Sequence, residues 1–229
     1  MGEKYIFGFI SSDNKEHPIG KCMEFNTLYN TLLDLDWKIK LSFQEAINYT
    51  YSDNVYNNFN LFNINSAEEK LSYYFIENAL FRTSSLWDML AQLYCLYYSA
   101  KVETDKIQAL RIFNPIDKKD PYKKIFKNES IRLQFKESIK EINKYINQED
   151  KTDSLDGEWS GNFKFVNTLR NKMIHRNSPN VPAMSNYDLN FKVHPAFMLK
   201  RIVEDYFTVS KFIDKILNDI EHKYFLTNL

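Results

Sequence analysis

Apolar residues recur along most of this chain every three or four positions, the period of an amphipathic α-helix. From about Asn26 to Asn54 the positions Leu28, Leu32, Leu35, Ile39, Phe43 and Ile47 keep that spacing. A rival pattern overlies it: Leu33, Leu35, Trp37, Ile39, Leu41 and Phe43 alternate with polar residues, as a half-buried strand would. Roughly 28 residues without Gly or Pro is long for a strand, so the segment is read as a helix. Tyr56 to Asn65 is Asn-rich and reads as a loop. Ser66-Ala67-Glu68-Glu69 then offers a capping box, with Ser66 covering free backbone donors and Glu69 reaching back, at the head of a helix running to about Ala100. The pattern breaks up from Lys101 to Asn128 around Pro115 and Pro121, and resumes as a helix over Ile131 to Ile146 with Ile131, Phe135, Ile139 and Ile142 on one side. After an acidic, Gly-bearing connector from Gln148 to Gly161, a helix starts near Ser160 to Asn162 with Val166, Leu169 and Met173 on its core face. It is over by Ser178, because Pro179 disfavours helix at the residue before it. Asn177 to Pro195 reads as a long irregular loop that rims this helix. A last helix from Ala196 to about Phe225 has Met198, Ile202, Tyr206, Val209, Ile213, Ile216 and Ile220 as one stripe.

These elements predict an all-α fold: an up-and-down bundle of four to six helices, several of them long. Residues 1–25 are expected to form an N-terminal extension, with Ser11 to Lys21 a loop, and 26–229 a single helical domain. Composition agrees, since among 229 residues Gly and Pro number only 5 and 6 and apolar residues make up 44%. The apolar run Tyr5 to Ile10 is too short for the core of a signal peptide. Nor is there a stretch of ~18 apolar residues to span a membrane, so a cytoplasmic protein is expected. Cys22 and Cys95 show no CxxC spacing and are read as reduced and structural. Lys plus Arg equals Asp plus Glu, 30 against 30, so nucleic-acid binding would have to come from local clusters.

Three places offer such chemistry. Arg82 falls in the apolar stripe of Phe75, Leu86, Met89 and Leu93 and must find a carboxylate, carbonyls or a ligand. Glu77 and Asp88 lie on another face, about 140° away, so Arg82 either snorkels, pairs across the bundle or lines a cleft. Lys118, Lys119, Lys123, Lys124 and Lys127, interleaved with Tyr122 and Phe126, could attract a phosphate backbone, although Asp117 and Asp120 dilute them and favour a solvated loop. Tyr51, Tyr56, Tyr94, Tyr97 and Tyr98 could stack on bases, yet aromatics at helical spacing are usually core. The densest chemistry is Arg170-Asn171-Lys172-Met173-Ile174-His175-Arg176. An arginine fork grips phosphate, and a histidine titrating near neutrality can take a proton from a ribose 2′-hydroxyl or return one to a departing 5′-oxygen. Asn171, one turn before His175, can orient the imidazole; Arg176 can hold a flanking phosphate. The bland alternative is an exposed Arg and a helix-terminal His favoured by the helix dipole. No HExxH, Cys/His cluster, Gly-rich phosphate loop or GxSxG elbow appears, so neither metal nor cofactor is expected.

The run Arg170-Asn171-x3-His175, on a helix ahead of a last long amphipathic helix, resembles the signature of HEPN domains (higher eukaryotes and prokaryotes nucleotide-binding). That resemblance implies an all-helical bundle. It also implies a metal-independent endoribonuclease with Arg170 and His175 catalytic, to which the residues themselves add Asn171, Arg176 and Arg82 in support, or a non-catalytic module binding nucleotide, RNA or a protein partner. A toxin–antitoxin or phage-defence setting, with RNA as substrate and an antitoxin or other protein partner, belongs to the same expectation. On an ideal helix Arg170 and His175 diverge by about 140°, whereas Asn171 and His175 are about 40° apart. From this and from the family, a homodimer pooling two such pairs in one composite cleft is expected. A purely structural helical scaffold is the remaining alternative.

Overall fold

The computed structural model describes residues 19–62, 66–116, 120–149, 161–175, 183–185 and 188–223. They form eight α-helices: α1 (Ile19–Thr50), α2 (Asp53–Tyr56), α3 (Ala67–Tyr97), α4 (Ala109–Phe113), α5 (Glu129–Ser138), α6 (Lys140–Ile146), α7 (Gly161–His175) and α8 (Pro195–Glu221). Two 3₁₀ turns lie at Thr104–Lys106 and Pro121–Lys123. The fold is all-α, as the apolar period predicts. No helix among the described residues is long and apolar enough to cross a membrane.

α1 settles the competition between the two periods in favour of the helix. Leu32, Ile39 and Ala46 are fully buried and Phe43 nearly so, while Leu33, Trp37 and Leu41 are exposed. The strand-like alternation is therefore two helical stripes superposed, one inward and one outward. The helix also begins earlier than expected: residues 19–21, read as loop because of Pro18 and Gly20, are already helical. Proline is tolerated ahead of and within a first turn, where its missing N–H has no intrahelical role.

The chain divides into two compact units. One holds α1 up to Asp36, Leu86 to Ile146 and α8 from Thr208; the other holds Trp37 to Ser85 and the described residues of Asn147 to Phe207. α1, α3 and α8 thus contribute to both. In the first unit Phe135, 1% exposed, is an aromatic hub whose ring centroid lies 5.4 Å from Tyr98, 5.2 Å from Tyr122 and 4.8 Å from Phe126. The Tyr122 hydroxyl donates to the Ile112 carbonyl at 2.9 Å and Asn143 Nδ2 to the Phe113 carbonyl at 2.7 Å, which satisfies backbone in the irregular stretch. Asn128 caps α5 by accepting from the N–H groups of Ser130 and Ile131. The single helix expected over Ile131 to Ile146 is interrupted at Ile139, in a turn between α5 and α6. Ser138 Oγ donates back to the Phe135 carbonyl at 2.8 Å, a side-chain bond that competes with the helical ladder. Cys95 is a free, buried thiol, and burial pushes its pKa up to about 12. Cys22 lies in α1, its side chain outside those described.

In the second unit the Thr50 and Ser72 hydroxyls pair at 2.7 Å in the core, and Phe43 meets Tyr206 edge-on at 5.4 Å. The expectation of an irregular loop over Asn177 to Pro195 is corrected. β1 (Ala183–Ser185) and β2 (Asp188–Asn190) pair antiparallel with Met184 opposite Leu189. Strands of three residues carry too few positions for their period to be read.

Removing the hub by Phe135→Ala is expected to cost about 3–5 kcal/mol in chemical denaturation, the range for emptying an aromatic site. An opposite sign is expected at Ser99, which follows α3 at φ 54 while the Ala100 N–H reaches the Cys95 carbonyl at 2.8 Å. Ser99→Gly relieves the left-handed strain and is expected to add about 1 kcal/mol by the same measurement.

Candidate functional site

The helix that carries the Arg-Asn-x3-His run is fixed at its start by Gly161. Its φ is +80°, and a Cβ there would sit 2.8 Å from the Gln148 carbonyl oxygen, so only glycine fits. Phe163, Val166 and Leu169 are buried at 3, 0 and 8% exposure and hold the inward face. The outer side is tied by polar contacts. Asn162 Nδ2 donates to Glu204 at 3.0 Å, Arg201 donates to the same carboxylate oxygen at 3.3 Å, and Lys164 pairs with Glu149 at 2.5 Å. Phe165 packs edge-on against Phe197 at 5.7 Å, and the Arg201 guanidinium lies 5.1 Å from the Phe197 ring.

Four residues past Val166, Arg170 falls at the edge of the buried stripe and is half-buried. Asn171 and Lys172 are exposed, and Ile174 is 51% exposed. His175 is the final residue of α7, its side chain outside those described, and Arg176 lies outside the described residues. Because α7 stays helical through His175, the backbone positions of Arg170 and His175 lie about 140° apart around the axis. Among the described residues the Arg170 side chain has no hydrogen bond or ion pair. The other half-buried arginines differ: Arg132 meets Asp120 at 3.2 Å and Glu129 at 3.0 Å, Arg201 meets Glu204 at 3.3 Å, and Arg82 bonds to Asn78.

Arg82, on α3 in the same unit as α7, is half-buried. Its Nη1 donates to both the carbonyl and the Oδ1 of Asn78, at 3.0 and 2.9 Å, and Asn78 Nδ2 donates to the Tyr74 carbonyl at 2.8 Å. Its partner is thus one turn back on its own helix. Asp88, set aside as a partner for Arg82, instead accepts the N–H of Ala109 at 2.9 Å. No hydrogen bond or ion pair among the described residues joins Arg82 to α7.

The lysine cluster is a solvated surface where it can be seen. Lys123, Lys124 and Lys127 are exposed, Lys118 and Lys119 lie outside the described residues, and Tyr122 and Phe126 are buried against Phe135. Of the tyrosines considered for stacking, Tyr94 is buried, whereas Tyr51 and Tyr56 are exposed and lie 5.3 Å apart. Compared with protein-family models, with curated proteins and with solved structures, the chain matches none. Among the described residues no three His, Cys, Asp or Glu side chains gather as a metal site.

The pattern of residue types did not point to a buried ion pair in the second unit. Lys192 pairs with Glu69, both side chains almost fully buried, and the Lys192 ammonium lies 5.1 Å from the Phe59 ring. Tyr73 donates to the Val193 carbonyl at 2.7 Å; burial, then the charges of Glu69 and Glu77, raise its pKa. His194 Nδ1 accepts from the Ala196 N–H at 3.1 Å and caps α8, and its ring meets Phe59 at 4.6 Å and Tyr56 at 5.7 Å. Ser66 Oγ caps α3 by accepting the Glu69 N–H at 3.1 Å, the serine half of the expected capping box. The Glu69 carboxylate has a long-range role that a capping position conceals. These contacts anchor the stretch between the hairpin and α8.

Lys192→Met leaves the Glu69 carboxylate buried without its counter-ion and is expected to cost about 3–5 kcal/mol in denaturant titration. The double change Lys192→Met with Glu69→Leu removes both charges and is expected to recover most of that loss.

Proposed function

We propose that the chain is a metal-independent endoribonuclease centred on α7. What supports this is Arg170: a half-buried guanidinium at the border of a core stripe, without a carboxylate among the described residues, where comparable arginines have partners. A planar, permanently charged fork in that position is suited to a phosphodiester oxygen pair.

In the reaction, Arg170 binds the scissile phosphate and offsets the charge that develops on it. His175 removes the 2′-hydroxyl proton, the 2′-oxygen attacks the adjacent phosphorus, and the P–O5′ bond breaks. The products are a 2′,3′-cyclic phosphate and, once the leaving oxygen is protonated, a 5′-hydroxyl. Asn171, about 40° around the helix from His175, positions the imidazole, and Arg176 holds a flanking phosphate. Arg82, braced by Asn78, is a further phosphate contact. One chain aims Arg170 and His175 about 140° apart, so two copies pooling their pairs would give one histidine as base and the other as acid. A toxin or phage-defence role, restrained by a protein partner, is the setting we propose for such an activity.

Purified protein incubated with RNA in EDTA is expected to yield fragments ending in 2′,3′-cyclic phosphate. A substrate with a 2′-deoxy sugar at the scissile position should stay intact. Arg170→Ala and His175→Ala should each lower the rate by about 10²–10⁴, the scale of a lost acid–base or charge-stabilising group. RNA retained on the protein with no products formed would instead identify a binding module, and cleavage that persists in both variants would refute the assignment.

A further inference from the structure

A cavity of about 330 Å³ opens in the first compact unit, lined by Tyr97, Tyr98 and Ser99 at the end of α3, Ile131 and Gln134 on α5, and Lys223 just beyond α8. That volume stands at the lower end of the roughly 300–1,000 Å³ common for small-molecule sites. All six residues belong to one unit, and what they imply does not rest on the reading of α7.

The aromatic walls meet at a corner. Tyr97 and Tyr98 have ring centroids 4.8 Å apart and planes at 81°. Tyr98 is held in turn by Phe135, edge-on at 5.4 Å, and by Tyr94, stacked at 6.3 Å. A flat ring entering such a corner meets a face on one side and an edge on the other, both arrangements that aromatic pairs favour. Half-buried Ile131 adds an aliphatic surface.

Lys223 supplies the charge of the lining, which contains no carboxylate. Its ammonium lies 4.3 Å from the centre of the Tyr97 ring and donates to the Tyr97 carbonyl at 3.5 Å, so it is held at the cavity rather than trailing into water. With three donors, an ammonium can serve an anion beside that carbonyl. Asp219, one turn before Lys223, is close enough to add to the effect of burial in raising the Tyr97 pKa, but it is not among the lining residues. The side chains of Tyr98 and Gln134 have no hydrogen bond among the described residues. Ser99 adds a strained backbone: it holds φ 54, where glycine would be at ease, and strain of that kind gathers at ligand sites.

We propose that this cavity binds a small aromatic carboxylate. One or two fused rings occupy the tyrosine corner, the carboxylate meets the Lys223 ammonium, and Ser99, Gln134 and Tyr98 fix the polar edge. A cationic ligand would be repelled by Lys223, and a wholly apolar one would cover the Gln134 amide and the Ser99 hydroxyl without pairing them. A single ammonium also matches the one charge of a carboxylate better than the nearly two of a phosphate monoester.

Ligand-observed NMR titration of the full chain with benzoate, 4-hydroxybenzoate and indole-3-carboxylate is expected to give a dissociation constant of about 1 mM or below for at least one of them. The matching carboxamide should bind about tenfold more weakly. Lys223→Met should weaken the acid by about tenfold, the scale of a charge-assisted hydrogen bond, and bring it level with the carboxamide. Ile131→Trp should fill the cavity and abolish binding with an unchanged circular dichroism spectrum. If that variant does not fold, Gln134→Trp, at an exposed position, closes the same space. Ser99→Gly should weaken the acid several-fold while the fold gains stability, a split that a purely structural serine would not give. Failure of all three acids to bind, equal affinity for acid and carboxamide, or an affinity unmoved by any one of the three substitutions would overturn the proposal.

Discussion

The constraint on which this fold depends is burial of one continuous apolar stripe along α8. Met198, Ile202, Tyr206, Val209, Ile213, Ile216 and Ile220 follow one another at three- or four-residue steps, and all are 5% exposed or less. A stripe of that regularity can be removed from water only if the backbone keeps 3.6 residues per turn over the whole run. Packing and backbone hydrogen bonding therefore demand the same conformation. α1 and α3 meet the same demand, and like α8 each supplies part of its length to both compact units. Most helical stability in proteins comes from such packed faces rather than from intrinsic propensity, which suits helices this rich in aromatic and β-branched residues.

How much of this was legible from residue types follows the length of each element. α8, α3 and α1 are long enough for their period to be unambiguous once two stripes are allowed on α1. Two shorter features were not legible. The break at Ile139 coincides with a bond from the Ser138 hydroxyl to the Phe135 carbonyl, but serines make such bonds inside unbroken helices as well, so the residue type does not announce it. The β1–β2 pair offers only three residues a side, and its pairing lies in the backbone. Glu69 shows a different limit: its place three residues after Ser66 already explains it as a capping residue, so nothing local asks for its partnership with Lys192, more than a hundred residues away in the chain.

The candidate site divides along the same line. That Arg170, Asn171 and His175 share one helix, and that the helix reaches His175, follows from local signals: Pro179 downstream and the Val166 and Leu169 face upstream. Whether a guanidinium has a counter-ion is a tertiary property and cannot be read from spacing. Arg82 is the local case: its place in the apolar stripe required a carboxylate, carbonyls or a ligand, and the backbone carbonyl and side-chain oxygen of Asn78, one turn back on α3, supply it.

Lys192 and Arg170 show two ways a cation can live at an apolar boundary, and the contrast bears on function. Lys192 is fully withdrawn from water, and there the chain supplies a carboxylate, because an uncompensated buried ammonium would cost several kcal/mol. Arg170 is withdrawn only halfway, so the penalty for having no partner among the described residues is smaller. The fold can tolerate that state, but it derives no ion-pair stabilisation from it among the described residues. A delocalised, weakly hydrated guanidinium yields its water readily to a planar pair of anionic oxygens. Under the function proposed above that position receives a phosphate, while α7 itself is held in place by Gly161, Asn162 and the buried Phe163, Val166 and Leu169.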